Sequence, residues 1–350
     1  MLYNKFTSRT LLLLMPLLLF SLPVAAETYR IGYFEGGFSS IFRSSWDAMK
    51  KALEEKGWGD KIEYPEDAFY SPGFGEDKLA AREAAAKKIM ARDDLSLVFS
   101  AGTDATDLLL KNNNNKTPIL GAAISDPIRS KFVIDQNDSG VENFTTRLVP
   151  GRYKRMFQIF HDEVGFKRLG LLYVDNLNAQ KFANVADAME VASERGFEIV
   201  HYKINDTLTP DECMAALESL VEQKIDAFYI PSLTCFEWKK YDVKKHLDFL
   251  AQNHIPTFAR QGSVDIKAGA LMGFSTVDYS SRGHFLADMA IHILKGGKAR
   301  ELPMVDKAPP KIAINLHVAQ VIGFDPSFEI LGASDEVYQE ITLPEDRLVK

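Results

Sequence analysis

The sequence predicts two doubly wound α/β lobes, each built on a parallel sheet with helices covering both faces. Short apolar runs alternate with amphipathic stretches of helix length along almost the whole chain. The alternation breaks near Val141 to Pro150 and then starts again. The chain has 350 residues, more than a single hydrophobic core ordinarily supports.

The elements follow in order. Tyr29 to Phe34 reads as a strand that runs into glycines and serines. Phe38 to Lys56 has helical spacing through Phe42, Trp46, Met49 and Leu53 and stops at Gly57. Ile62 to Tyr64 is a short strand, and Asp77 to Arg92 is an alanine-rich helix of strong helix formers. Leu95 to Phe99 is a buried strand, Thr103 to Lys111 a helix, and Pro118 to Ala123 another strand. Asn112 to Asn115 caps a helix and forms a loop.

The second round opens with a connecting helix, Pro150 to Val164, and the strand Arg168 to Val174. A helix over Ala179 to Arg195 is closed by Gly196, and Phe197 to Tyr202 is a strand. Helices at Pro210 to Gln223 and Trp238 to Asn253 alternate with strands at Ile225 to Ile230 and Ile255 to Ala259. Then come a strand, Ala270 to Phe274, and a helix, Tyr279 to Lys295. A proline-rich stretch, Leu302 to Pro310, leads into a last strand, Lys311 to Asn315. Neither lobe needs these tail pieces if each ends at its own boundary. The expected division is therefore 27–147 with 275–303 for the first lobe and 148–274 with 304–350 for the second. Repeated crossings of this kind make a hinge suited to closure around a ligand.

The N-terminus reads as an export leader. Lys5 and Arg9 precede an apolar run, Leu11 to Leu22, too short for the ~20 residues that span a bilayer. Val24 and Ala26 supply small side chains for cleavage after Ala26, and no cysteine follows to carry a lipid. Removing 1–26 leaves 39 basic against 48 acidic residues, a formal charge of −9. That balance argues against nucleic acid and anionic membranes as partners. An oxidising compartment leaves two states open for Cys213 and Cys235, a bridge or two free thiols. Two cysteines without neighbouring histidines do not make a metal site, and no cofactor is expected.

In open parallel sheets, ligands collect beyond the carboxyl ends of the strands. In the first lobe this rule selects Phe34, Glu35, Phe38 and Ser39, then Ser100, Gly102 and Thr103, then Ser125 and Asp126. In the second it selects Asn176 and Asn178, Ser232 and Thr234, and Arg260 with Gln261. Small residues, hydroxyls and amides there leave helix-start N–H groups accessible. Arg260 offers a planar fork of donors to a carboxylate, and Asp126 can meet an ammonium group. Gly36-Gly37 lacks the lysine and third glycine of nucleotide loops. The seven histidines are scattered, and no nucleophile elbow or cysteine–histidine pair is present, so nothing positive points to an enzyme.

Phe99 to Ala105, Pro118 to Leu120 and Ile124 to Pro127 together resemble a segment of a type I solute-binding family of ABC transporters, the TrpX-like group. The likeness continues through Arg168 to Tyr173, Ile225 to Pro231, Gly269 to Leu271, Ile293 to Gly297, Leu302-Pro303 and Asn315 to Ala319. It implies a type I periplasmic-binding-protein fold: two Rossmann-like lobes with three inter-lobe crossings and a ligand trapped by closure. It also implies a monomer serving ABC permease and ATPase subunits, or a membrane-bound sensor. Carried over, it makes Ser100, Thr103 and Ser125 carboxylate ligands, Asp126 an ammonium partner and Asn176 a second-lobe contact. The Phe34 to Ser40 loop and the Arg260-Gln261 pair depart from the group's pattern. The added arginine makes an acidic or dicarboxylate-like ligand reasonable.

Overall fold

The computed structural model describes residues 28–175, 180, 183–204 and 209–348, together with Met1. The expected leader lies outside the described residues, as do Asn176 and Asn178. The first sheet contains β1 (Tyr29–Glu35), β2 (Ile62–Glu63), β3 (Phe69–Tyr70), β4 (Leu97–Ala101), β5 (Ile119–Ala122) and β6 (Phe144–Thr146). Its order is β2-β1-β4-β5-β6, all parallel, with β3 also lying against β1. The second sheet contains β7 (Arg168–Val174), β8 (Glu198–Ile204), β9 (Ala227–Ile230), β10 (Thr257–Ala259), β11 (Met272–Phe274), β12 (Ile312–Asn315) and β13 (Ser334–Tyr338). Its order is β13-β12-β11-β10-β9-β7-β8. The five strands β7 to β11 repeat the arrangement of β1, β2, β4, β5 and β6. In both sheets the order reverses beside the first strand, which opens a crevice at the strand ends.

Each sheet is apolar on both faces, as parallel strands covered on both sides require. On one face of the first sheet, Ile31, Phe99 and Leu120 pack with Trp46, Met49 and Leu53. Leu286, Met289, Ala290 and Ile293 join the same cluster, so the helix Ser280–Leu294 is physically part of the first lobe. Gly283 makes this possible. A Cβ there would stand 2.4 Å from the Ala48 carbonyl oxygen in the helix Ser40–Glu55. In the second lobe Phe157, Phe160, Tyr229 and Phe258 form one core and Leu172, Leu217, Phe228 and Leu250 the other.

The chain crosses between the lobes three times. The first crossing follows β6, the second follows β11, and the third runs from the 3₁₀ turn Ala299–Glu301 to β12. Leu148 of the first bridges Val305 of the third. The Leu148 N–H donates to the Met304 carbonyl (2.7 Å), and Asp306 N–H donates to the Leu148 carbonyl (2.8 Å). Because β12 arrives from the first lobe, it enters the second sheet antiparallel to β11.

Cys213 and Cys235 form a disulfide, with Cα atoms 5.7 Å apart, so the bridge is the state adopted. It ties the helix Pro210–Glu222 to the turn after β9. The helix expected from Trp238 begins only at Val243, where the Asp242 side chain accepts from Lys245 N–H. The expected start at Asp77 is a 3₁₀ turn, and the helix runs Leu79–Met90. β3, β6 and the helix Ser263–Lys267 were not anticipated, being too short to show a period. The helices Leu316–Ile322 and Phe328–Ala333 and the edge strand β13 are likewise additions.

The displaced Trp238 has a partner. Its indole N–H donates to the Asp265 carboxylate (2.8 Å), while the other Asp265 oxygen is buried without a partner. Burial pushes the Asp265 carboxyl up to about 6, against the lowering effect of the Trp238 bond. The folded protein therefore holds a proton that the unfolded chain releases above its ordinary value of about 4. Stability falls as pH rises from about 4 to about 6 on this account and stays lowered above that. Asp265→Asn removes the penalty and should stabilise at pH 7 by on the order of 2–3 kcal/mol. Urea unfolding from pH 4 to 7 reads this out. A wild-type pH profile in the variant would assign the ionisation to another group.

Candidate binding site between the lobes

Two loops of the first lobe and one strand end of the second meet across the crevice. Thr103 begins the helix Thr103–Lys111, and its Oγ1 accepts from the Ser125 N–H (3.1 Å). Ser125 lies in the loop after β5, and its Oγ is 3.5 Å from Nη2 of Arg260, just beyond β10. The Arg260 Nε donates to Asn184 Oδ1 (2.9 Å), which also accepts from the Tyr229 hydroxyl (2.8 Å). Its Nη2 lies 3.4 Å from the Tyr153 hydroxyl, and the guanidinium sits 5.3 Å from the Tyr153 ring centroid. Thr103, Ser125 and Arg260 thus form a polar path from one lobe to the other.

A second contact lies nearby. Arg129, in the loop after β5, donates from Nη1 to Asp187 Oδ2 (2.8 Å) on the helix Val185–Arg195. Burial pushes the Asp187 carboxyl up, and Arg129 pulls it back. Asp126 is drawn into this contact. Its Oδ1 accepts from Arg129 N–H (2.9 Å), and its Oδ2 lies 3.5 Å from Arg129 Nε. The residue expected to meet an ammonium group therefore already has a cationic neighbour.

Three expected site residues are turned inward instead. Phe34 is fully buried in the core with Ala68, Ile89 and Phe144, because its register places the side chain under the sheet. Glu35 is equally buried and fully engaged: it accepts from the Tyr33 hydroxyl (2.6 Å), the Ser71 hydroxyl (2.6 Å) and Arg43 (2.5 and 3.0 Å). It anchors the loop rather than facing solvent. Ser100 is buried and exchanges a hydrogen bond with Thr106 (2.8 Å), whose hydroxyl donates to the Gly102 carbonyl. Gly102 has φ +93°, and a Cβ there would stand 2.4 Å from the Phe42 ring.

Phe38 is 65% exposed at the rim. Ser39 is the N-cap of Ser40–Glu55, without a side-chain bond to the helix. Ser232, Thr234 and Gln261 are partly exposed around β9 and β10.

A group of residues at the crossings carries no local signal in the sequence. Arg147, on the first crossing, pairs with Asp306 on the third (2.6 Å). Arg152 opens the helix Arg152–Val164, with its guanidinium 5.4 Å from the Phe274 ring centroid. Arg282, in the first turn of Ser280–Leu294, donates to Ser45 Oγ (2.9 Å) and stacks on Tyr279. Each sits next to a crossing, and no local motif marks those positions.

The family model described as ABC transporter substrate binding protein matches residues 44–338. The tyrosine-binding protein of Clostridioides difficile (strain R20291) is 24% identical over 273 residues, covering 76% of this chain and 72% of that protein. An ABC domain from Streptococcus pneumonia, solved in complex with L-Trp, superposes with a TM-score of 0.69 at 19% identity, over 89% of this chain and all of that one. The ligand-free, open structure of a substrate binding protein with adhesive properties from Clostridium difficile gives 0.66 at 22% identity, with the same coverage. The fold is therefore that of two-lobed binding proteins. Among the described residues, no helix is long and apolar enough to cross a membrane.

Arg129 and Asp187 join the lobes, so breaking the pair should let them separate. Asp187→Ala leaves a half-exposed Arg129 that water can reclaim, and the contact should be worth about 1 kcal/mol. Small-angle scattering of the variant should give a larger radius of gyration than the parent protein. An unchanged profile would mean that the pair does not hold the lobes together.

Proposed function

Because this chain belongs to the ABC transporter substrate-binding protein family, we propose that it is the solute receptor of an ABC import system, capturing a small organic ligand in the crevice between its lobes. The observation that carries this reading is the polar path Thr103–Ser125–Arg260, in which groups from both lobes converge beside the crossings. A ligand bridging those groups contacts both lobes only when they are close, and that differential affinity is what drives closure. Residues 27–147 with 275–303 act as one moving body, and 148–274 with 304–350 as the other. Export after removal of 1–26 delivers the receptor to the periplasm, where permease and ATPase subunits await the closed form. No chemistry is done on the ligand.

Two comparison proteins are named for aromatic amino acids, tyrosine in one and L-Trp in the other. Both amino acids carry a carboxylate, and Arg260 supplies a matching fork of donors. Ser125 and Thr103 stand on the opposite wall to complete its hydrogen bonds.

Native mass spectrometry of the gently purified mature protein, followed by thermal shift with amino acids, aromatic acids and short carboxylates, tests the reading. A ligand at a hundredfold its Kd should stabilise by about 2.7 kcal/mol, seen as a raised Tm. Failure of every class, with no solute carried from the cell, would remove the receptor reading. Arg260→Ala should weaken a carboxylate ligand by about 30- to 150-fold, the value of about 2–3 kcal/mol for a charge-assisted bond. Calorimetric titration of the variant checks this, and unchanged affinity would place the anchor elsewhere.

A further inference from the structure

The crossings gather positive charge. Arg147 lies on the first crossing, Arg152 starts the helix that follows it, Arg282 lies in the first turn after the second crossing, and Arg260 directly follows β10. Only Arg147 has a carboxylate partner, Asp306. Among the described residues, Arg152, Arg260 and Arg282 make no ion pair, and Arg152 Nε is buried without any hydrogen-bond partner. Their contacts are neutral: the Phe274 ring for Arg152, Ser45 and the Tyr279 ring for Arg282, and Asn184, Tyr153 and Ser125 for Arg260.

This arrangement works against the fold in two ways. Arginine in the first turn faces the positive end of the helix dipole, where acids are favoured. Neither Arg152–Val164 nor Ser280–Leu294 has an acid there. The guanidiniums also repel one another. Burial, then Arg147 and Arg152, pull the Arg282 pKa down to about 9. Arg152 likewise opposes the charge of Arg147. A chain with a formal charge of −7 has acids to spare, yet the acids near the crevice are engaged elsewhere. Asp126 and Asp187 hold Arg129, and Glu35 holds Arg43.

We infer that the crevice is built for an anion bearing at least two negatively charged groups, one gripped by Arg152 and Arg282 beside the crossings and another by Arg260. The inference rests on the solute-receptor reading and narrows its ligand. A zwitterionic amino acid fits poorly, since its ammonium group would enter a site with three unpaired guanidiniums and no free carboxylate. Arg147, already neutralised by Asp306, is a positioning residue that fixes the crossing from which Arg152 projects. The charged groups can be carboxylates or phosphoryl groups, because both match the planar fork of arginine.

The experiment is calorimetric titration of the mature chain with succinate, citrate and inorganic pyrophosphate, against butyrate, L-tyrosine and L-tryptophan. At least one multiply charged probe should bind 30-fold or more tighter than butyrate, and its affinity should fall as salt rises. Whether the carboxylates or pyrophosphate win identifies the anionic group. Arg152→Gln and Arg282→Gln should each weaken that probe at least tenfold while leaving the ligand-free Tm unchanged or higher, because repulsion is relieved. A merely structural role would lower the Tm. Should a glutamine variant fail to fold, Arg282→Lys and Arg152→Lys keep the charge but lose the fork, and should bind more weakly than the parent. Tight binding of L-tyrosine or L-tryptophan that survives both glutamine substitutions would overturn the inference and leave the receptor reading standing. If no probe binds and no solute accompanies the protein from the cell, both fall together.

Discussion

Everything in the crevice depends on the line where the first and third crossings run side by side. Leu148 is satisfied at both its N–H and its carbonyl by Met304 and Asp306, so this extended backbone is not left short of hydrogen bonds between the lobes. The Arg147–Asp306 pair sits on top of it, with side chains 15% and 6% exposed. Removing one partner of so buried a pair strands the other charge, whereas the intact pair fixes which segments lie together. The second crossing is attached as well, since Ser275 N–H donates to the Lys311 carbonyl (2.8 Å). Three segments of chain thus run together as one ribbon, the kind of connection through which small backbone rotations can move packed lobes.

The parallel sheets were legible in the sequence because their signal is local. The strand Arg168–Val174 and the helix Thr103–Lys111 have the expected bounds, the strand because both its faces are apolar and the helix because Gly102 stops the chain before it. What escaped was set by tertiary context. β6 is three residues long and exists because Ile119 to Gly121 offer a free edge. Trp238 has a helical neighbourhood in sequence, but its indole is held by Asp265, 27 residues away.

The strand-end rule selects Thr103, Ser125 and Arg260, and the structure brings these three together at the crevice. It also selects Phe34, Glu35 and Ser100, which the structure buries. The strand-end rule locates a loop but does not say on which side of the sheet its first side chains fall, and these three point into the core. It does not select Arg152 and Arg282, for a different reason. They lie past the loops that directly follow β6 and β11 and belong to no motif, and their meeting is a consequence of where the crossings run.

Charge then couples the hinge to what the hinge encloses. Two electrostatic effects act on the approach of the lobes, with opposite signs. The Arg129–Asp187 pair draws them together near the rim, while the guanidiniums at the crossings resist being brought into a drier space. The anion proposed above would cancel the second effect and leave the first, so its charge would do more than add contacts: it would change which arrangement of the lobes is favoured. A neutral solute of the same shape fills the space but leaves the repulsion in place. By linkage, a ligand shifts a two-state equilibrium only by the difference in its affinity for the two states. On the proposed reading that difference grows with ligand charge, because closure would bring the arginines of both lobes around the anion. Selectivity and closure are then set by the same few residues.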